Sequence, residues 1–86
     1  MNTYMKVNDQ FYNATVHFSN NCLRVMTYLG AFKRDISTLD CREIYYATST
    51  PVFGGKQIRF VYENKPYILY TQGEGMAEYI ETELGI

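Results

Sequence analysis

The sequence predicts a mainly β (α+β) domain: a strongly bent antiparallel sheet or two-layer β-barrel of six or seven strands, capped by one C-terminal α-helix. Three observations predict it. Short runs of alternating apolar and polar residues occupy most of the first 72 positions. Turn residues, chiefly Asn and Gly, separate those runs. From Met76 onward the apolar spacing changes from two to 3.6. With 86 residues the chain is one domain's worth, so residues 1–86 are read as a single domain. Nine Tyr and five Phe with no Trp also favour sheet, because flat rings pack well on a pleated surface.

Taken in order, Tyr4 to Val7 supplies the optional first strand. Tyr12 to Phe18 alternates, with Ala14, Val16 and Phe18 on one face and Thr15 and His17 on the other. Asn20-Asn21 tolerates the positive φ angles of a tight hairpin. Cys22 to Leu29 resumes the alternation, Gly30 punctuates, and Phe32 to Ile36 is a weaker strand. Ile44 to Thr50 follows, and Pro51 is expected to help end it. Gly54-Gly55 marks a turn. Ile58, Phe60 and Tyr62 then oppose Gln57, Arg59 and Glu63, and Pro66 to Thr71 returns as the partner strand. In the last segment Met76, Ile80 and Leu84 repeat at helical spacing, and Ala77 widens the stripe. Glu74, Glu78, Glu81 and Thr82 take the opposite face. Gly85 stops the helix. A helix of about ten residues is not stable alone in water, so it must dock on the sheet.

Charge is divided unevenly. Residues 1–72 carry all eight bases against five acids, whereas residues 73–86 carry four glutamates and no base. Fields this modest rarely select a partner. No segment has the roughly 18 apolar residues of a membrane span. Met1 to Lys6 lacks a signal-peptide run, so a cytoplasmic location is expected. Cys22 and Cys41 form neither a disulfide framework nor a CxxC motif.

No constellation carries recognisable chemistry. His17, Cys22 and Cys41 lack the spacing of a zinc site, and no metal or cofactor is expected. His17 and Cys22 sit on opposite arms of one predicted hairpin, but nothing stabilises a thiolate. Gly54-Gly55-Lys56 and Gly73-Glu74-Gly75 do not fit a phosphate-binding loop. An enzyme is therefore not expected. The tyrosines are more informative. Tyr45-Tyr46 and the pair Tyr67/Tyr70 are expected to point to both sheet faces, leaving some rings outside the core. Tyr45 and Tyr67, with Arg42 and Arg59 near them, form the expected interaction surface. Exposed Tyr is favoured at protein interfaces, and rings interleaved with bases can stack nucleobases.

The order of elements resembles the pleckstrin-homology-like (PH-like) fold, in particular its short bacterial versions. The residues carrying the resemblance are Asn21-Cys22-Leu23-Arg24-Val25, similar to the second strand, and the run Arg34 to Ile44, similar to the passage from the third strand to the fourth. Ile58 to Thr71 looks like the later hairpin and Met76 to Leu84 like the terminal helix. Members that bind phosphoinositides cluster Lys and Arg around the first hairpin. Here that turn is Ser19-Asn20-Asn21 with only Arg24 near it, so phosphoinositide binding is not supported. The resemblance implies architecture rather than chemistry. The expected function is a non-catalytic binding or assembly module, acting through protein–protein contact or homo-oligomerisation. The alternative is a small single-stranded nucleic-acid binder using exposed Tyr and Arg on a sheet face.

Overall fold

Alternation and turn chemistry place the strands, and cross-strand pairing orders them. The computed structural model describes residues 2–28, 30, 33–72 and 75–86. Seven strands, β1 (Asn2–Val7), β2 (Gln10–Ser19), β3 (Cys22–Tyr28), β4 (Arg34–Asp40), β5 (Ile44–Val52), β6 (Gly55–Tyr62) and β7 (Lys65–Gln72), precede one helix, α1 (Met76–Leu84). All strands join one antiparallel sheet in the order β4-β3-β2-β1-β7-β6-β5. The sheet is bent and unclosed, with β4 and β5 as its edges.

Three hairpins share one turn chemistry. Asn8-Asp9, Asn20-Asn21 and Glu63-Asn64 all hold positive φ, between 48° and 66°. Two consecutive left-handed residues are the type I′ arrangement, whose twist matches that of the strands it joins. The β5–β6 hairpin differs from expectation. Its turn is Phe53-Gly54, and Gly55 is already the first residue of β6. Pro51 lies within β5 rather than after it, which an edge strand allows because one side needs no N–H. Likewise the weak strand expected to end at Ile36 runs on to Asp40, while Phe32 and Leu29 lie outside the described residues.

The inward face of the bend holds the core. Leu23, Leu39, Ile58, Leu69 and Ile80 are fully buried, together with Phe60 and Val16. Val16, Leu23, Ile58 and Phe60 come from the alternating faces read in the sequence and Ile80 from the helix stripe, whereas Leu39 lies beyond the expected end of its strand. Thr71 is buried and polar, yet satisfied: its hydroxyl accepts from the Lys56 N–H at 3.2 Å and donates to the Lys56 carbonyl at 3.0 Å. The two edges meet at one corner, where a 3₁₀ turn (Cys41–Glu43) links β4 to β5. There the Asp40 N–H donates to the Tyr62 hydroxyl at 3.3 Å and the Cys41 N–H to the Asn21 carbonyl at 2.8 Å.

Helix α1 covers the core as expected. Met76, Ala77 and Ile80 are buried, and Leu84 packs half-buried against the same cluster. At its start the Gly75 N–H donates to the Glu78 carboxylate at 2.9 Å. At its end Gly85 takes φ 75°, so that its own N–H and that of Ile86 reach the carbonyls of Thr82 and Glu81. Tyr79 adds a polar tether, accepting the Phe18 N–H at 2.9 Å while its ring meets that of Phe18 edge-on at 5.5 Å.

One glutamate departs from the expected solvated face. Glu81 is half-buried, and its carboxylate accepts from the Lys56 ammonium at 3.1 Å, binding α1 to β6. The hydrogen bonds from the Lys56 ammonium help hold the Glu81 carboxyl below its usual value of 4.5. A carboxyl favoured in its ionised form by folding adds stability above its unfolded pKa and loses it as pH falls through the folded one. Glu81→Gln is therefore expected to flatten the acid limb of the stability profile below about pH 4.5. Denaturation midpoints measured across pH 3 to 7 check this.

Candidate interaction surfaces

The four residues expected to form one surface are separated by the sheet. Tyr67 pairs directly with Phe60, and cross-strand partners share a face. Because Phe60 is buried, Tyr67 points inward. Its ring stacks on Phe60 at 5.1 Å and meets Tyr62 edge-on at 6.4 Å. Burial pushes its hydroxyl pKa up, and Glu63 and Tyr62 add to the effect. Tyr67 is thus a core-lining residue, half-buried in a cleft of about 270 Å³ at the end of β7 remote from α1, with Tyr12, Asp35 and Ser37. It is removed from the outer surface.

Arg42 is exposed but engaged. Its Nε and Nη2 donate to the Asp40 carboxylate at 3.1 and 2.8 Å, and the Arg42 N–H donates to the same side chain at 2.9 Å. These bonds hold the Asp40 carboxyl below the usual carboxylate range. Arg42 clasps the corner between the edges. Arg59 does face outward, with its Nε 3.3 Å from the Gln57 amide oxygen.

Tyr45 is outward, 53% exposed, and its hydroxyl donates to Glu43 at 3.4 Å. The expectation that Tyr45 and Tyr46 would occupy opposite faces is corrected. The β5–β6 register shifts between Tyr45 and Thr48, and Tyr46 takes φ 59°. This bulge leaves Tyr46 82% exposed, with its ring tilted against that of Tyr45 at 6.3 Å. Left-handed φ costs a residue with a Cβ about 1–2 kcal/mol. Alternation alone carries no sign of a bulge.

A cluster that the sequence reading missed lies at the middle of the sheet. On the outer face Tyr4 stacks on Phe11 at 5.4 Å and lies 6.2 Å from Tyr70. The Lys6 ammonium sits 5.4 Å from the Phe11 ring centre, within cation–π range. Thr3, Asn13 and Gln72 join the three rings around an open trough of about 870 Å³. The signal was present in sequence: Tyr4 and Lys6 alternate with buried Met5 and half-buried Val7. What was absent was the knowledge that β1 is the central strand.

Among the described residues no hydrogen bond joins His17 to Cys22 or Cys41. His17 is exposed and faces Arg24 across the β2–β3 ladder. Cys41 is a free, half-buried thiol whose pKa burial raises, with Cys22 adding to the effect. That is the opposite of what a nucleophilic thiolate needs. Among the described residues, no three His, Cys, Asp or Glu side chains are grouped to hold a metal ion. No helix among them is long and apolar enough to cross a membrane. Compared with family models, curated proteins and solved structures, the chain matches none.

Proposed function

We propose that the chain is a non-catalytic assembly module of PH-like type that acts through protein contact, with a second copy of itself as the favoured partner. Seven antiparallel strands and a terminal helix in this order support the PH-like reading. The observation that carries the function is the contrast between the two sheet edges. β5 is blunted by the Tyr46 bulge and by Pro51, both of which discourage a further strand. β4 has no proline, bulge or positive φ, and its residues Arg34 to Ser37 and Thr38 are all exposed. Its charges are Arg34 and Asp40 at its two ends and Asp35, turned toward the inner face. Ile36 stands 49% exposed at its middle. An edge of this kind is a template for antiparallel strand addition.

Light scattering of the full chain tests the reading. The wild type is expected to give a dimer or larger assembly at high protein concentration. The Ile36→Lys/Thr38→Lys variant, which alters two exposed side chains and places lysines on the edge, is expected to stay folded and monomeric. A wild type that remains monomeric at millimolar concentration would remove the self-association reading.

A further inference from the structure

We propose that the outer face of the central strands is a platform for single-stranded nucleic acid, independent of the β4 edge. The register aligns two cross-strand rows. One runs Asn13, Tyr4, Tyr70, Gln57 across β2, β1, β7 and β6. The next runs Phe11, Lys6, Ile68, Arg59 across the same strands. Tyr28 and Arg34, paired with each other, extend the surface toward β4.

Charge on this face is predominantly positive. At outward positions of the strands the ionised side chains are Lys6, Arg24, Arg34 and Arg59, with Asp40 the sole carboxylate and clasped by Arg42. The remaining strand carboxylate, Asp35, faces inward opposite Thr27. Among the described residues the other acids sit on turns or on α1, and Glu74 lies outside them. Asp9, on the β1–β2 turn, approaches Lys6 at 3.6 Å, but its side chain is 95% exposed and such a pair is weak.

Each component has a role in binding such a strand. Tyr4 and Phe11, 44% and 50% exposed, offer ring faces on which bases stack regardless of sequence. Asn13 places its amide beside Tyr4 and Gln57 beside Tyr70, able to bond base edges. Lys6 and Arg59 lie in the row of Phe11, one row from Tyr4 and Tyr70, where phosphates of a strand crossing the sheet would pass. A duplex keeps its base faces stacked and unavailable, so the platform selects single strands.

The test titrates labelled oligothymidine and oligouridine of about 12 nucleotides, and a duplex of equal length, with the full chain, reading fluorescence anisotropy. At low salt both single strands are expected to bind more tightly than the duplex. Tyr4→Ala and Phe11→Ala should each weaken binding at least about fivefold. Lys6→Gln should reduce the slope of log affinity against log salt by about 0.7. Both ring substitutions lie at exposed positions, and circular dichroism confirms their folding. No binding at low salt, equal binding of the duplex, or undiminished binding by the folded Tyr4→Ala/Phe11→Ala variant would overturn the proposal. So would ring variants that change only the mass of the protein assembly, since the face would then be a protein contact.

Discussion

Ile80→Asp is expected to abolish the cooperative thermal transition, and Ile80→Ala to lower stability by about 2–5 kcal/mol. Ile80 is completely buried and belongs to the same cluster as Phe18, Leu23, Leu39 and Phe60. Truncation there removes apolar contact and leaves a cavity that a tightly packed interior fills only in part. An aspartate would be worse, because a carboxylate at that depth has no cationic partner in the cluster. The helix has nine residues and cannot hold itself together in water. Losing its anchor therefore releases the whole segment and uncovers the core. For a domain of this size each kcal/mol moves the melting temperature by about 4–8 °C, so even the alanine variant is readily measured by circular dichroism. A folded Ile80→Asp variant with an unchanged transition would mean that α1 does not close the core.

The second large effect is expected from Gly55→Ala, at about 3 kcal/mol or more, the upper end of overpacking costs. A Cβ at Gly55 would lie 1.8 Å from the Thr71 carbonyl oxygen and 2.8 Å from its carbon. Both atoms are backbone, fixed by the β6–β7 ladder in which Gly55 opposes Gln72. Relief requires the two strands to part, where Thr71 and Lys56 exchange hydrogen bonds and just before the chain leaves for α1. Gly54→Ala is the control. Its Cβ would meet nothing within 4 Å, and the cost is only that of a left-handed φ of 83°, about 1 kcal/mol. Denaturant midpoints should rank wild type, Gly54→Ala and Gly55→Ala in falling order. Equal loss at the two positions would contradict the close approach.

Why some of this was legible in sequence and some was not follows from the range of each interaction. The alternation of Ala14, Val16 and Phe18, the Asn20-Asn21 turn and the helical stripe of Met76, Ala77 and Ile80 are local, and the chain spells them out. The mainly β fold with one terminal helix was readable for that reason. The inward turn of Tyr67 depends on its register against Phe60. The outward placement of both Tyr45 and Tyr46 depends on a single extra residue in β5. Arg42 reads as a free base until the corner folds and Asp40 lies beside it. The outer ring cluster and its predominantly positive charge arise only once β1 is set between β2 and β7, joining residues more than fifty positions apart in the chain, as with Phe11 and Tyr70.

Amide hydrogen exchange measured by NMR at low and high protein concentration tests the assembly claim most directly. In a lone domain the outward N–H groups of an edge strand are open to solvent and exchange fast. The account predicts that outward amides within Arg34–Asp40 become protected as concentration rises, while those of β5 do not change. Amides of β4 that exchange equally fast at both concentrations, or protection that appears on β5 instead, would contradict it.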